Sequence, residues 1–183
     1  DNIAAPNWVT DTNTFSYYYA FPSLDCTTVF ASIYDGVSDT YSVGRWHAGS
    51  WTQLDSPLPD TVIANGYADL AGERVLFWMD YSTWYQSDDG GDTWQLWTLP
   101  FGTGYPYSMS DDGTVTGGAY DDYTDYFPWV QAWGNSAVRL PGIPGNVDTT
   151  LGEGNAISRN AVWIAGDGDD QIGNDLPIIW NLG

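Results

Sequence analysis

Ser87-Asp88-Asp89-Gly90-Gly91-Asp92-Thr93-Trp94 is the stretch whose reading decides the fold. It follows the pattern Ser-x-Asp-x-Gly-x-Thr-Trp. A hydroxyl, a carboxylate and a glycine are the materials of a tight turn, and the Thr-Trp pair that follows suits a strand. The stretch sits in a chain that repeats itself roughly every 44 residues, a period typical of propellers and solenoids.

Four segments align. Each opens with an inner strand ending in a tight turn: Tyr18 to Asp25, Gly66 to Gly72, Tyr107 to Gly113 and Asn155 to Asn160. Second strands follow at Thr28 to Tyr34, Arg74 to Met79, Thr114 to Tyr120 and Ala161 to Gly166, rich in β-branched and aromatic residues. An acidic loop comes next in every repeat. A third strand then carries Trp46, Trp84, Trp129 with Trp133, and Trp180. Fourth strands are expected at Ser50 to Leu54, Thr93 to Trp97 and Ser136 to Leu140, each leading into a Pro-containing exit that stops the ladder. The last segment ends without a fourth strand, and Asn7-Trp8-Val9-Thr10-Asp11 matches the missing piece.

The expected fold is therefore all-β: a single-domain, four-bladed β-propeller over 1–183. Its blades fall near 15–59, 60–100, 101–144 and 145–183, and the N-terminal strand within 1–12 completes the last blade. Such a clasp removes the unpaired backbone edge that an open blade would expose. Trp46, Trp133 and Trp180 are expected between blades, where large rings fill the wedge. Trp84 and Trp97 are less patterned and better candidates for exposure, but core packing is the expected role for them as well.

Composition supports an all-β chain and limits its partners. Hydrophobic residues make up 43% and aromatics 16%, which a disordered chain would lack. The formal net charge is -20, and the acid is almost all Asp, a turn residue; Glu73 and Glu153 are the two Glu. The four basic residues are Arg45, Arg74, Arg139 and Arg159, with no Lys. Nucleic acid and anionic membrane surfaces are repelled by this balance. No stretch is long and apolar enough to cross a bilayer as a helix, so membrane insertion is not expected. The first residue is Asp rather than Met, which fits removal of a secretion signal and an extracellular or cell-surface location. Cys26 is the single cysteine, so no intrachain disulfide forms, and it reads as a small buried hydrophobe.

The Ser87 to Trp94 pattern resembles the Asp-box (BNR) repeat of sialidases and many other propellers. In those families it lies on the hairpin between third and fourth strands, its Ser and Asp brace the turn, and its Trp packs into the blade. The resemblance thus implies a structural role away from the active face. Sialidase activity does not carry over. That family's three converging arginines and its Tyr, Glu and Asp catalytic set cannot be recognised among these residues.

Function is read from the acidic loops. All four join second to third strands, so they should gather on one face. They carry Asp35, Asp39, Asp80, Asp121, Asp122 and Asp125, with Tyr34, Tyr41, Tyr81, Tyr123 and Tyr126 beside them. The expected ligand-binding set is Asp35, Asp39, Tyr41, Asp80, Tyr81, Asp121, Asp122, Tyr123 and Asp125. Tyrosine rings stack on sugar faces and carboxylates accept hydroxyl hydrogen bonds. Asp167, Asp169, Asp170 and Asp175 form the densest acidic segment and the expected Ca²⁺ ligands, since Ca²⁺ takes several hard oxygens. No cofactor besides Ca²⁺ is indicated. His47 is the only His and reads as a strand or hairpin residue, which disfavours a catalytic triad. The reading is a non-enzymatic extracellular module that engages a glycan or a protein. Two alternatives stand beside it. One is a subunit that self-assembles into a surface layer or filament, a homo-oligomer formed by exchange of the N-terminal strand. The other is a glycoside hydrolase using paired carboxylates, though no pair is singled out by spacing.

Overall fold

The computed structural model describes residues 15–35, 39–55, 63–79, 83–121, 125–143, 152–170 and 174–183. These residues form fifteen strands and no helix. The strands divide into four antiparallel sheets, three of four strands and one of three. Two compact units, Asp1–Trp97 and Thr98–Gly183, hold two sheets each. The expected closing strand, residues 7–11, lies outside the described residues.

In the first unit, β1 (Phe15–Pro22), β2 (Thr28–Asp35), β3 (Thr40–His47) and β4 (Ser50–Leu54) form one sheet in chain order. The second sheet is β5 (Ile63–Ala68), β6 (Val75–Met79), β7 (Thr83–Ser87) and β8 (Gln95–Trp97). Phe30, Val43, Leu54, Ile63, Ala68, Val75 and Phe77 make a buried core. Phe21 joins it by stacking on Phe30 at 5.4 Å and meeting Phe77 edge-on at 5.2 Å. Trp94 of the Ser87–Trp94 stretch packs on Phe77 with ring centroids 4.3 Å apart, the role its resemblance implies.

In the second unit, β9 (Gly104–Met109), β10 (Val115–Asp121), β11 (Asp125–Gln131) and β12 (Val138–Arg139) form one sheet. The other is β13 (Gly154–Ile157), β14 (Trp163–Asp169) and β15 (Asp175–Asn181). Leu140, Ile164 and Trp180 are its buried cluster, and the Trp180 indole donates to the Pro141 carbonyl at 2.7 Å.

One turn device recurs where first strands meet second strands. In three sheets a serine hydroxyl donates to an Asp or Asn side chain two residues on: Ser23 to Asp25 at 2.7 Å, Ser110 to Asp112 at 2.6 Å, and Ser158 to Asn160 at 2.8 Å. The acceptor side chain also receives a backbone N–H of the returning chain: Thr27 to Asp25, Thr114 to Asp112, Val162 to Asn160. In the remaining sheet Asp69 acts alone, taking the amides of Gly72 at 2.8 Å and Glu73 at 2.9 Å. Short polar side chains that bond the backbone a few residues on are how such turns are fixed. These turns also tie sheet to sheet within each unit. The Leu24 amide donates to the Asp69 carbonyl at 3.1 Å, and the Asp111 amide to the Arg159 carbonyl at 2.8 Å.

Trp84 and Trp97 pack in the core, at 6% and 7% exposure: they meet each other edge-on at 6.1 Å and Trp84 stacks on Trp78. Two expectations are corrected. The fully buried tryptophan of β11 is Trp129; Trp133 follows the strand and is only half-buried. Cys26 is exposed, on a turn residue with φ of 60° that directly follows the Ser23–Asp25 brace. Strand ends also moved. The fourth strand expected at Ser136 to Leu140 shortens to Val138–Arg139.

Candidate functional site

Within each unit the turn-to-turn bonds place the first-to-second strand turns together, so the second-to-third hairpins lie at the opposite ends of the same sheets. Those hairpins are where the sequence put its acid. The β2–β3 hairpin closes on the Asp35–Thr40 pair, and the β10–β11 hairpin on Asp121–Asp125.

One step in from each closing pair stands a cross-strand pair of tyrosines. Tyr34 faces Tyr41 with ring centroids 4.9 Å apart, and Tyr120 faces Tyr126 at 4.5 Å. In the β6–β7 hairpin the corresponding pair is Trp78 and Trp84, nearly parallel at 5.7 Å. Directly opposed residues in an antiparallel ladder bring their side chains into contact, which explains the repetition. Asp39 is exposed and accepts the Tyr34 hydroxyl at 2.6 Å. Asp80, Tyr81, Asp122 and Tyr123 lie outside the described residues.

In the second unit the tyrosine pair extends into a network that the sequence did not reveal. The Tyr107 and Tyr126 hydroxyls share a short hydrogen bond, and Tyr107 reaches Glu153 Oε1 at 3.5 Å. Asp167 completes it from β14: its Oδ1 accepts the Glu153 amide at 3.1 Å and its Oδ2 accepts Asn155 Nδ2 at 3.0 Å. Burial, and then the Asp167 charge, raise Glu153 above the ordinary carboxyl value. Burial likewise raises Tyr107 and Tyr126, so both phenols stay protonated at neutral pH. The arrangement is a half-buried set of hydroxyl donors and carboxylate acceptors beside an aromatic pair. It can hydrogen-bond a polyhydroxylated ligand whose ring rests on the tyrosines. Tyr107 and Glu153 lie 46 residues apart in sequence, so no local pattern pairs them.

The four expected Ca²⁺ ligands divide: Asp167 and Asp170 turn to other partners, and Asp169 and Asp175 face each other. Asp167 turns to Glu153 and Asn155. Asp170 accepts the Asn174 amide at 2.9 Å and its Nδ2 at 2.8 Å. Asp169 faces Asp175 across β14 and β15, and the hydrogen bond between the two carboxyls raises Asp169. Among the described residues no group of three or more His, Cys, Asp or Glu side chains is gathered as a metal set.

The Ser87–Trp94 turn lies at the other end of the first unit's sheets and is braced throughout. Ser87 Oγ donates to Asp89 at 2.8 Å and accepts the Gly91 amide at 2.8 Å. Asp89 accepts the Thr93 amide at 2.8 Å and the Thr93 hydroxyl at 2.7 Å. The Thr93 hydroxyl and amide hold Asp89 below the ordinary Asp value.

No protein-family model matches the sequence, and no curated protein matches it. Solved structures that resemble the fold include these two. One is a chain from a structural and mechanistic analysis of two prolyl endopeptidases: TM-score 0.63, 11% identity, covering 93% of this chain and 28% of that one. The other is a putative TolB from Agrobacterium tumefaciens: TM-score 0.59, 16% identity, covering 91% of this chain and 58% of that one. This chain thus spans well under two thirds of either. Both are β-propeller proteins, and at such identities the likeness is one of fold: the sheets of this chain are of β-propeller type.

Proposed function

We propose that this protein is a non-enzymatic, extracellular binding module whose ligand is a neutral glycan, held at the acidic tyrosine-bearing hairpins. The observation that carries this reading is the repeated cross-strand tyrosine pair with a carboxylate in reach. It occurs as Tyr34 and Tyr41 beside Asp39, and again as Tyr120 and Tyr126 with Glu153 nearby. Stacked aromatic rings with hydrogen-bonding acceptors at their edge suit the apolar face and hydroxyl rim of a sugar. A net charge of -20 turns away anionic ligands and leaves neutral ones admissible. The reading includes a closed ring of four blades in which residues 7–11 supply the outer strand of the last sheet.

A glycan array is the direct test. Retention of a defined set of neutral glycans, lost in both Tyr41→Ala and Tyr126→Ala, supports the proposal. Silence across a broad array, or binding untouched by either change, overturns it. Turnover of aryl glycosides, abolished by Glu153→Gln, would replace it with a glycosidase.

One observation favours a second reading, self-assembly. The outer edge of β15 has no strand partner among the described residues, and Ile179 on it is 71% exposed. An exposed apolar edge strand is a template for a strand from another copy. Light scattering that reports a monomer at all accessible concentrations removes this reading.

A further inference from the structure

Asn65 and Gly66 are the chain's single Asn-Gly pair, and they lie on β5, the strand at one end of its sheet. Amides along an antiparallel strand point alternately to its two sides. The Asp69 amide donates to the Arg74 carbonyl at 2.9 Å, on the β6 side. Gly66 stands an odd number of residues earlier in an unbroken register, so its amide points away from β6. On that side β5 has no ladder partner among the described residues. The Gly66 amide is taken by Oδ1 of its own neighbour, Asn65, at 2.8 Å. The Ile63 amide, further back on β5, goes instead to Ser32 Oγ of the adjacent sheet at 2.7 Å.

The Asn65 side chain is thus folded back onto the peptide nitrogen that follows it. A carbonyl carbon sits about 1.23 Å from its oxygen, so the Gly66 nitrogen lies within about 4 Å of Asn65 Cγ, a small side-chain rotation from an attack distance of about 3–3.5 Å. Asn65 is exposed, so water reaches the side-chain amide and ammonia can leave. Gly66 has no Cβ to shield its nitrogen, and a Cβ there would overlap the Phe21 ring, so packing keeps the position glycine. The amide carries no ladder bond, so its attack on Cγ breaks none. Other asparagines are turned elsewhere. Asn155 and Asn174 send Nδ2 to Asp167 at 3.0 Å and Asp170 at 2.8 Å, and Asn160 Oδ1 accepts the Ser158 hydroxyl at 2.8 Å. Each of these is followed by a residue with a side chain.

We propose that Asn65–Gly66 is a self-modification site, at which the folded chain converts Asn65 to aspartate and isoaspartate through a succinimide. Hydroxide removes the Gly66 amide proton, and the nitrogen lone pair forms a bond to Asn65 Cγ. The Cγ–Nδ2 bond breaks and Nδ2 leaves as ammonia, its third proton coming from water. Water then adds to one of the two ring carbonyls. Cleavage of the new N–Cγ bond yields aspartate; cleavage of the original peptide bond yields isoaspartate. No oxidant or reductant is needed. Aspartate leaves the backbone as it was. Isoaspartate puts an extra methylene into β5 beside Gly66, whose place is set by Phe21, and Phe21 stacks on Phe30 and meets Phe77 edge-on. The modification therefore loosens the core of the first unit. The site takes no part in the glycan reading.

The test is ageing of the folded protein in water labelled with heavy oxygen, at neutral pH and in mild alkali, followed by peptide mapping. Label at Asn65 is expected to accumulate about tenfold or more faster than at Asn135 or Asn160, as its geometry favours attack. It should accumulate faster in alkali, and part of the product should be methylated by an isoaspartate-specific methyltransferase. Equal rates at the three asparagines overturn the proposal. So does labelling of Asn65 only in urea, which would mean that the fold protects the site. Gly66→Ala tests the missing Cβ but collides with Phe21, so Asn65→Gln and Asn65→Asp carry the comparison of stability. Aged parent is expected to show a lower urea midpoint, with aged Asn65→Gln unchanged and Asn65→Asp matching fresh parent. An equal midpoint in parent rich in isoaspartate overturns the loosening of the core.

Discussion

Asp89 and Glu153 are both acids set among hydroxyl groups, yet their proton affinities have moved in opposite directions. Asp89 stands at an exposed turn where the Thr93 hydroxyl and amide and the Ser87 hydroxyl all donate to it. Donors favour the charged form, and little is lost to desolvation. Glu153 is half-buried, shares its surroundings with the Asp167 charge, and has the Tyr107 hydroxyl only at 3.5 Å. There burial and like charge win. The first arrangement is a finished structural unit. The second sets a half-buried acid beside two phenols and a neighbouring carboxylate, so its charge is opposed rather than held.

The largest expected effect is on the finished unit. Ser87 is 2% exposed and its hydroxyl both donates and accepts in the turn, so Ser87→Ala strands the Gly91 amide. A loss of about 1–3 kcal/mol is expected in urea unfolding. A variant as stable as the parent would show that the turn is held by its glycines alone. By contrast, Tyr126→Phe removes one half-buried hydroxyl whose partner, Tyr107, keeps Glu153 as an acceptor, and about 0.5–1.5 kcal/mol is expected.

The pH dependence separates the two regions by sign. Asp89 is lowered from 3.8, so its contribution to stability is present above that value and disappears as pH falls through the lower folded one. Glu153 is raised from 4.5, so its contribution is complete below 4.5 and is lost as pH rises through the higher folded value. Denaturant midpoints of Asp89→Asn and Glu153→Gln against the parent therefore diverge in opposite senses. The advantage of the parent over Asp89→Asn shrinks in acid. Glu153→Gln gains on the parent between pH 4.5 and neutrality. Parallel curves would mean that the two acids are not in different electrostatic settings after all. Asp25 and Asp112 should follow Asp89. Ser23 and then Thr27 lower the first; Asp112 is lowered by Ser110 and Thr114 although burial opposes them.

The smallest effect concerns Ca²⁺. Asp169 and Asp175 face each other across β14 and β15, where a divalent ion would relieve the like charge. With two carboxylates converging rather than four, affinity no tighter than about 10⁻⁴–10⁻³ M is expected by titration calorimetry. Submicromolar binding would mean that more of the acidic segment folds around the ion.

What the sequence made legible was local. A tight turn followed by a run of β-branched and aromatic residues is legible within a few residues of sequence, and the second strands start within two residues of where the repeat puts them. The tyrosines beside the β2–β3 and β10–β11 hairpins were legible for the same reason: a short hairpin fixes who faces whom. The Tyr107–Glu153 contact and the Arg45 grip on Gly90 join residues 46 and 45 positions apart, and only packing of one sheet on the next creates them. The mutual packing of Trp84 and Trp97 arises across a strand pair whose register the repeat does not specify.

Cys26 sits on the outside of a braced turn, and none of the brace's hydrogen bonds uses its side chain. It is the chain's one thiol, and the chain has no lysine to compete for electrophiles. A maleimide dye or spin label would thus couple at a single defined point, anchored to backbone fixed on both sides. The protein comes with its own attachment site for following the first unit by fluorescence or paramagnetic resonance, with no engineered residue.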